Sequence, residues 1–297
     1  MTEETRDLGG TGGQSEIGHR GTWGPDHAAA WWRWFHIIEE SAQGLGARMV
    51  ELAEIGPGDR VLDVATGLGE PALSVAGAVA PGGVVEAIDT SPDMLGFARQ
   101  RAVAAGLENI AFRVMAAEAL AYPAGRFDAV LCRWGLMFMD DLTATLAGWH
   151  ACLAPGGRLV AAVWGPPETA PTLSMGARVV RRALGLSSPD EGAKTPFALA
   201  DVTALQRTLG EAGFADIRGE WVTVTFTFAS AAEFIDFRKD RSGALKAEIA
   251  HVPAAEQEAA WQALTTAVRD YETADGTIVM DNVAYCVAAR RGADDTS

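Results

Sequence analysis

The chain has little cysteine: Cys132, Cys152 and Cys286 in 297 residues, far apart and without a CxxC pair. An odd, scattered set excludes a disulfide framework, suggests no metal site and fits a reducing compartment. Cys132 and Cys286 lie in apolar runs, where a small buried side chain is expected. Positive charge is also short. Lys and Arg number 24 against 39 Asp and Glu, a formal net charge of −15. That balance argues against a general nucleic-acid binder, because phosphate binding needs a basic surface. Arg178, Arg181 and Arg182 read as a solvated helix face. No run is long enough to span a bilayer. The opening stretch, residues 1–24, is polar, glycine-rich and acidic and lacks the apolar core and basic lead of a signal peptide. It reads as a flexible N-terminal tail, and the expected setting is cytoplasmic. There is no internal repeat.

What the chain does have is apolar surface. Hydrophobic residues make up 48% and charged residues 21%, enough for one large domain or one domain with a substantial insertion. Residues 25–55 carry Trp31, Trp34, Phe35 and Ile38 at helical spacing and read as a helical cap. Strands are expected at Val61–Ala65, Val84–Asp89, Ile110–Met115, Phe127–Arg133 and Arg158–Trp164, with helices between them. Near-continuous apolar strands alternating with helices predict a doubly wound α/β fold, its parallel sheet covered on both faces. After Trp164 the rhythm changes. Residues 166–199 surround one amphipathic helix near Leu173–Leu186, and a helix is expected over Asp201–Gly213. Val222–Phe228 is the clearest period-two strand, two helical stretches follow (230–250 and 254–272), and Ile278–Ala289 reads as the final strand. The cofactor-binding core is therefore expected over residues 56–165, 200–229 and 277–291, with lid or acceptor-binding insertions at 166–199 and 230–276.

The strongest local signal is Asp63-Val64-Ala65-Thr66-Gly67-Leu68-Gly69-Glu70, between a strand and a helix. Gly67 and Gly69 let backbone approach a ligand closely, and the helix end behind them is expected to supply free N–H donors for a carboxylate. Gly67-x-Gly69-x-x-Ala72 also fits a dinucleotide fingerprint, with Asp89 at the distance of a ribose-binding acid. The acids favour another cofactor. Asp63 and Glu70 flank the glycines with no Lys or Arg in the loop, so a pyrophosphate would meet repulsion. S-adenosylmethionine brings an ammonium, a sulfonium and one carboxylate, and suits the loop better. Asp89 ends its strand where a carboxylate can accept both ribose hydroxyl protons.

Asp63–Gly69, Ala87–Leu95, Ala117–Leu120, Gly125–Val130 and Leu153–Leu159 resemble, in order, the successive motifs of class I S-adenosylmethionine-dependent methyltransferases. The closest flavour is the ubiquinone/menaquinone-biosynthesis C-methyltransferase group and related small-molecule enzymes. The resemblance covers about residues 45–165. It implies a mostly parallel seven-stranded Rossmann-like sheet whose last strand runs antiparallel. It also implies that Asp63, Ala65, Thr66, Gly67 and Gly69 hold the methionine portion and Asp89 the ribose. Thr90 and Met94 would line the adenosine, Ala117 and Glu118 the adenine edge, and Arg133 would lie near the methyl group and acceptor. Two positions depart from the usual pattern: Ala65 replaces the first loop glycine, and Ala116 replaces an acid before the adenine-edge pair.

Methyl transfer to oxygen or carbon is an in-line displacement that depends on alignment and dehydration, with help from a general base. His36, in the aromatic N-terminal helix, is the candidate base. His150 reads as structural or solvent-facing, and His251 lies in the late insertion. Trp23, Trp31, Trp32, Trp34, Phe35 and Trp134 suggest an apolar acceptor site, with Trp32, Trp134 and Met137 the candidate substrate contacts. Arg238, Lys239 and Arg241 read as a solvated face, with an acidic acceptor as the alternative. The apolar lids would equally suit a homodimer contact. Two other functions stay open: a related protein that keeps S-adenosylmethionine but catalyses a non-methylating reaction such as cyclisation, and a non-catalytic cofactor-binding module.

Overall fold

A computed structural model describes residues 24–187 and 195–293. The expected tail up to Trp23 lies outside the described residues. The core is one sheet of seven strands in the order β3-β2-β1-β4-β5-β7-β6. Its strands are β1 (Arg60–Val64), β2 (Val84–Asp89), β3 (Ile110–Val114), β4 (Phe127–Arg133), β5 (Leu153–Trp164), β6 (Ala215–Phe228) and β7 (Ile278–Arg290). The first five pair in parallel, and β7 runs antiparallel to both β5 and β6. This is the mostly parallel seven-stranded architecture expected from the sequence. The order reverses between β1 and β4, so a crevice opens beyond the carboxyl ends of those strands.

The central strands are buried on both faces, which is why they read as unbroken apolar runs. Val61, Leu62 and Val64 of β1 and Val130, Leu131 and Cys132 of β4 are fully buried. The polar exception is Asp63, also fully buried, in register with Ala87 and Leu131 on the flanking strands. All three cysteines are buried and free. No helix among the described residues is long and apolar enough to cross a membrane.

The helices α3 (Ala72–Ala78), α4 (Pro92–Ala104), α5 (Leu142–Cys152) and α7 (Val202–Glu211) fall where the sequence expects them. Side-chain caps start three of them: Ser91 Oγ accepts from Met94 N, Asp141 from Ala144 N, and Asp201 from Thr203 N and Ala204 N. The amphipathic helix of the first insertion is α6 (Pro171–Ala183). Its start is tied to the sheet by buried Asn282, whose Oδ1 accepts from Thr172 N at 3.0 Å. Asn282 Nδ2 donates to Thr172 Oγ1, Val224 O and Met280 O.

The structure divides three stretches that the sequence reads as single helices. Residues 25–55 form α1 (Pro25–Arg33) and α2 (Phe35–Leu52), broken at Trp34. The break turns the Trp34 indole towards α8 (Ala231–Arg241), where its Nε1 donates to Asp240 Oδ2 at 2.9 Å beside the Arg33–Asp240 ion pair. Residues 230–250 form α8 and the short α9 (Gly243–Glu248), and residues 254–272 form α10 (Ala254–Ala267) followed by a 3-10 turn. The first two insertion helices, α6 and α8, cover the crevice together with α1 and α2.

Candidate active site

The loop after β1 is held open by left-handed backbone at Ala65 (φ +58°), Gly67 (φ +55°) and Gly69 (φ +102°). Ala65 tolerates a conformation that costs an L-residue about 1–2 kcal/mol. Its methyl fills the space beside Gly135, where an added Cβ would stand 2.6 Å from Ala65 Cβ and 2.9 Å from Cys132 Sγ. Asp89 organises the loop from the end of β2: its Oδ2 accepts from Gly67 N and its Oδ1 from Ser91 N, both at 2.9 Å. A carboxylate has lone pairs to spare for ribose hydroxyls beyond these two bonds. Burial raises the Asp89 carboxyl above the usual range, against the pull of its backbone donors.

Asp63 sits behind the loop. Its Oδ2 accepts from Ala72 N at 3.1 Å. Burial pushes the Asp63 carboxyl up to about 7, although the Thr66 hydroxyl and the charge of Arg133 favour its ionised form.

Two expectations about this loop need correction. The start of α3 offers no free donors: Ala72 N goes to Asp63, Leu73 N to Gly69 O, Ser74 N to Glu70 and Val75 N to Pro71 O. The loop is also less acidic than its sequence implies. Arg101, from α4, donates to Glu70 Oε1 and Leu68 O, each at 2.7 Å. Its guanidinium lies 4.1 Å from the Phe35 ring centroid.

The crevice is a cavity of about 870 Å³, at the upper end of the range for small-molecule sites. Its floor carries Ala65, Thr66, Gly67, Asp89, Thr90 and Met94, with Ala117 and Glu118 at one end. Arg133 and Glu39 face each other in its wall as an ion pair at 2.5 Å. Trp134 and Trp164, both lining, stack with centroids 4.4 Å apart. The lining also takes in His27, Trp31, Leu173, Phe237, Arg238 and Arg241.

The structure therefore gathers Ala65, Thr66, Gly67, Asp89, Thr90, Met94, Ala117, Glu118, Arg133, Trp134 and Met137 around one space. Asp63 and Gly69 stand outside the lining; an added Cβ at Gly69 would come 2.2 Å from Leu73 Cδ1. His36 and Trp32 are not brought in. His36 is exposed on α2, whose inward turn presents Ile38 and Glu39 instead. Trp32 is 40% exposed and stacks on Phe97 at 4.7 Å. His150 packs edge-on against Phe214, and His251 is exposed.

The histidine in the cavity is His27. Its Nε2 accepts from Trp31 Nε1 at 2.5 Å. Burial, and then the charge of Arg241, hold it down to about 4, so at neutral pH it is uncharged and a weak base. The residues that sequence reasoning missed are His27 and Glu39; Arg238 and Arg241 were read as a solvated face, with an acidic acceptor as the alternative. The arginines carried a readable signal: Phe234, Phe237, Arg238 and Arg241 fall at i, i+3, i+4 and i+7, one face of α8. Arg238 is buried and Arg241 half-buried, whereas only Lys239 reaches outward, to Glu258. The solvated-face reading holds for the lysine alone.

Residues 61–157 match a family model described as a methyltransferase domain. The aklanonic acid methyltransferase DauC of Streptomyces sp. (strain C5) is 37% identical over 39% of this chain and 52% of its own. The demethylmenaquinone methyltransferase of Thermus thermophilus is 42% identical over 40% of this chain and 54% of its own. The chain thus spans about half the length of these curated relatives. Among solved structures, the [4+2]-cyclase SpnF superposes with a TM-score of 0.51 at 24% identity, covering 84% of this chain and 82% of that one, a likeness of fold alone.

Proposed function

We propose that this chain, whose residues 61–157 form a methyltransferase domain resembling those of class I small-molecule methyltransferases, transfers a methyl group from S-adenosylmethionine to an oxygen or carbon of a small acceptor with an apolar or aromatic body. One observation carries the reading. A single cavity joins the β1 loop and Asp89 to a wall of Trp31, Trp134, Trp164 and Phe237, so cofactor and acceptor share one enclosed space. The relatives are named for aklanonic acid and demethylmenaquinone, and small acceptors of that kind suit this space better than a nucleic acid does, given the net charge.

S-adenosylmethionine supplies an activated methyl carbon, which an acceptor atom attacks in line as the carbon–sulfur bond breaks and its electrons return to sulfur. In this reading Asp89 receives the ribose, Ala117 and Glu118 flank the adenine, and the Arg133–Glu39 pair answers the carboxylate and ammonium of the methionine end. The α1–α2 cap and the insertions around α6 and α8 act as lids that exclude water and fix the acceptor. No strongly basic histidine is needed, because the donor is already activated. Trp134 and Met137 bound the acceptor, and a homodimer is not required by this arrangement.

A second reading is a non-methylating reaction on a retained cofactor. Its support is the fold shared with the [4+2]-cyclase SpnF. Calorimetric titration with S-adenosylmethionine, S-adenosylhomocysteine and NAD tests the main reading: micromolar binding of the first two alone is expected, and binding of NAD alone would overturn it. Turnover without donor consumption would move the assignment to the second reading.

A further inference from the structure

The cavity lining carries the acids Glu39, Asp89, Asp93, Glu118 and Asp140 and, from α8, the cations Arg238 and Arg241. Other cations beside the cavity have acids: Arg133 has Glu39, Arg101 has Glu70, and Arg33 has Asp240. Among the described residues no carboxylate lies within ion-pair distance of Arg238 or Arg241. Arg238 reaches only Ser242 Oγ, at 3.5 Å. Arg238 Nε and Arg241 Nη1 are without partners.

Two like charges, one buried and one half-buried, with no counter-charge among the described residues are costly. Burial presses Arg238 down to about 10, and burial together with Arg238 presses Arg241 to about 9. Both remain cations at neutral pH, and the end of α8 offsets only a fraction of their charge. Their packing is nevertheless specific. The Arg241 guanidinium lies 3.6 Å from the centroid of the Trp31 ring, which fixes its plane. Arg238 rests on Gly176 of α6, where an added Cβ would stand 2.8 Å from Nε. Charged groups placed with this care and left unmatched await an anion.

We propose that Arg238 and Arg241 hold a carboxylate on the acceptor, so that the substrate is an organic acid whose apolar body lies towards Trp134, Trp164 and Phe237. This rests on the methyltransferase reading for the word acceptor, and the ligand class stands on the arginines. A planar carboxylate matches the fork of a guanidinium.

The test is calorimetric titration of the wild-type protein with 2-naphthoate and with its neutral isostere 2-naphthamide, alone and with S-adenosylhomocysteine present. The acid is expected to bind at least about tenfold more tightly than the amide, the scale of losing a charged hydrogen bond. Arg238→Met and Arg241→Met should each abolish that preference and leave S-adenosylhomocysteine affinity unchanged. Without any ligand, Arg238→Met should melt at a higher temperature than wild type, because an unmatched charge has gone. No preference for the acid would overturn the proposal. So would a tenfold loss of S-adenosylhomocysteine affinity in the variants, which would hand the arginines to the cofactor, or a lower melting temperature in Arg238→Met, which would mark a structural arginine. Failure of wild type to bind S-adenosylhomocysteine would sink the methyltransferase reading alone, since the naphthoate comparison is made without it.

Discussion

Asp63→Asn should make the protein more stable and worse at its task. The folded-state carboxyl titrates near 7, against an ordinary value of 3.8. The folded chain therefore keeps a proton that the unfolded chain has lost across that interval. Stability falls as pH rises from about 4 to about 7 and levels off above, where an ionised Asp63 is fully buried. At about 1.4 kcal/mol per tenfold, the displacement amounts to roughly 4 kcal/mol of destabilisation at pH 8. The amide cannot ionise, and its oxygen still accepts from Ala72 N, so the variant should recover a large part of that sum. Urea unfolding of both proteins, free of ligand, at pH 5, 6, 7 and 8 is the assay. The difference in stability should grow in favour of Asp63→Asn up to about pH 7 and then stay flat. S-adenosylhomocysteine affinity should fall through the loop that Asp63 braces at Ala72 N, since Asp63 itself stands outside the cavity lining. A variant less stable than wild type at pH 8, or a difference that does not change with pH, would refute the account of Asp63 as an acid strained by burial.

Asp89→Ala removes the acceptor for Gly67 N and Ser91 N as well as the ribose contact. It should weaken S-adenosylhomocysteine binding by about 1–3 kcal/mol, and unchanged affinity by calorimetry would end the ribose assignment. Asn282→Ala leaves Thr172 N and two carbonyls unmatched at the root of α6. It should lower unfolding free energy by about 2–4 kcal/mol, and a loss below about half of one would show that α6 is anchored elsewhere. His36→Ala should keep turnover within about threefold of wild type, since an exposed side chain outside the cavity gives no acid–base help; a hundredfold fall would restore it as the base.

The parallel half of the fold was legible because each strand announces itself as an apolar run between turn residues. The motif loop was legible because its glycines stand between a strand and a helix. Hidden features were those that depend on distant partners. Nothing in Asp63–Glu70 tells of Arg101, which arrives from α4 to neutralise Glu70. Nothing in Pro71–Ser74 tells that its amides are already engaged. In the aromatic helix the residue types were right but the phase was not. The break at Trp34 decides that Trp31 and Glu39, rather than Trp32 and His36, face the cavity. On α8 the helical period was complete, but charge at two of its four inward positions made a buried face look solvated.

The contact between Ala65 and Gly135 has an evolutionary corollary. Two residues seventy positions apart compete for one methyl-sized volume, because a side chain at 135 would stand 2.6 Å from the one at 65. Their histories are therefore linked and directional. Position 135 is frozen as glycine for as long as 65 carries a methyl. Only after 65 reverts to glycine is the larger clash lifted, leaving the sulfur of Cys132 as the remaining obstacle. In descendants of this sequence a side chain at 135 should be found only alongside glycine at 65, and a survey that found alanine at both would show a backbone that has moved.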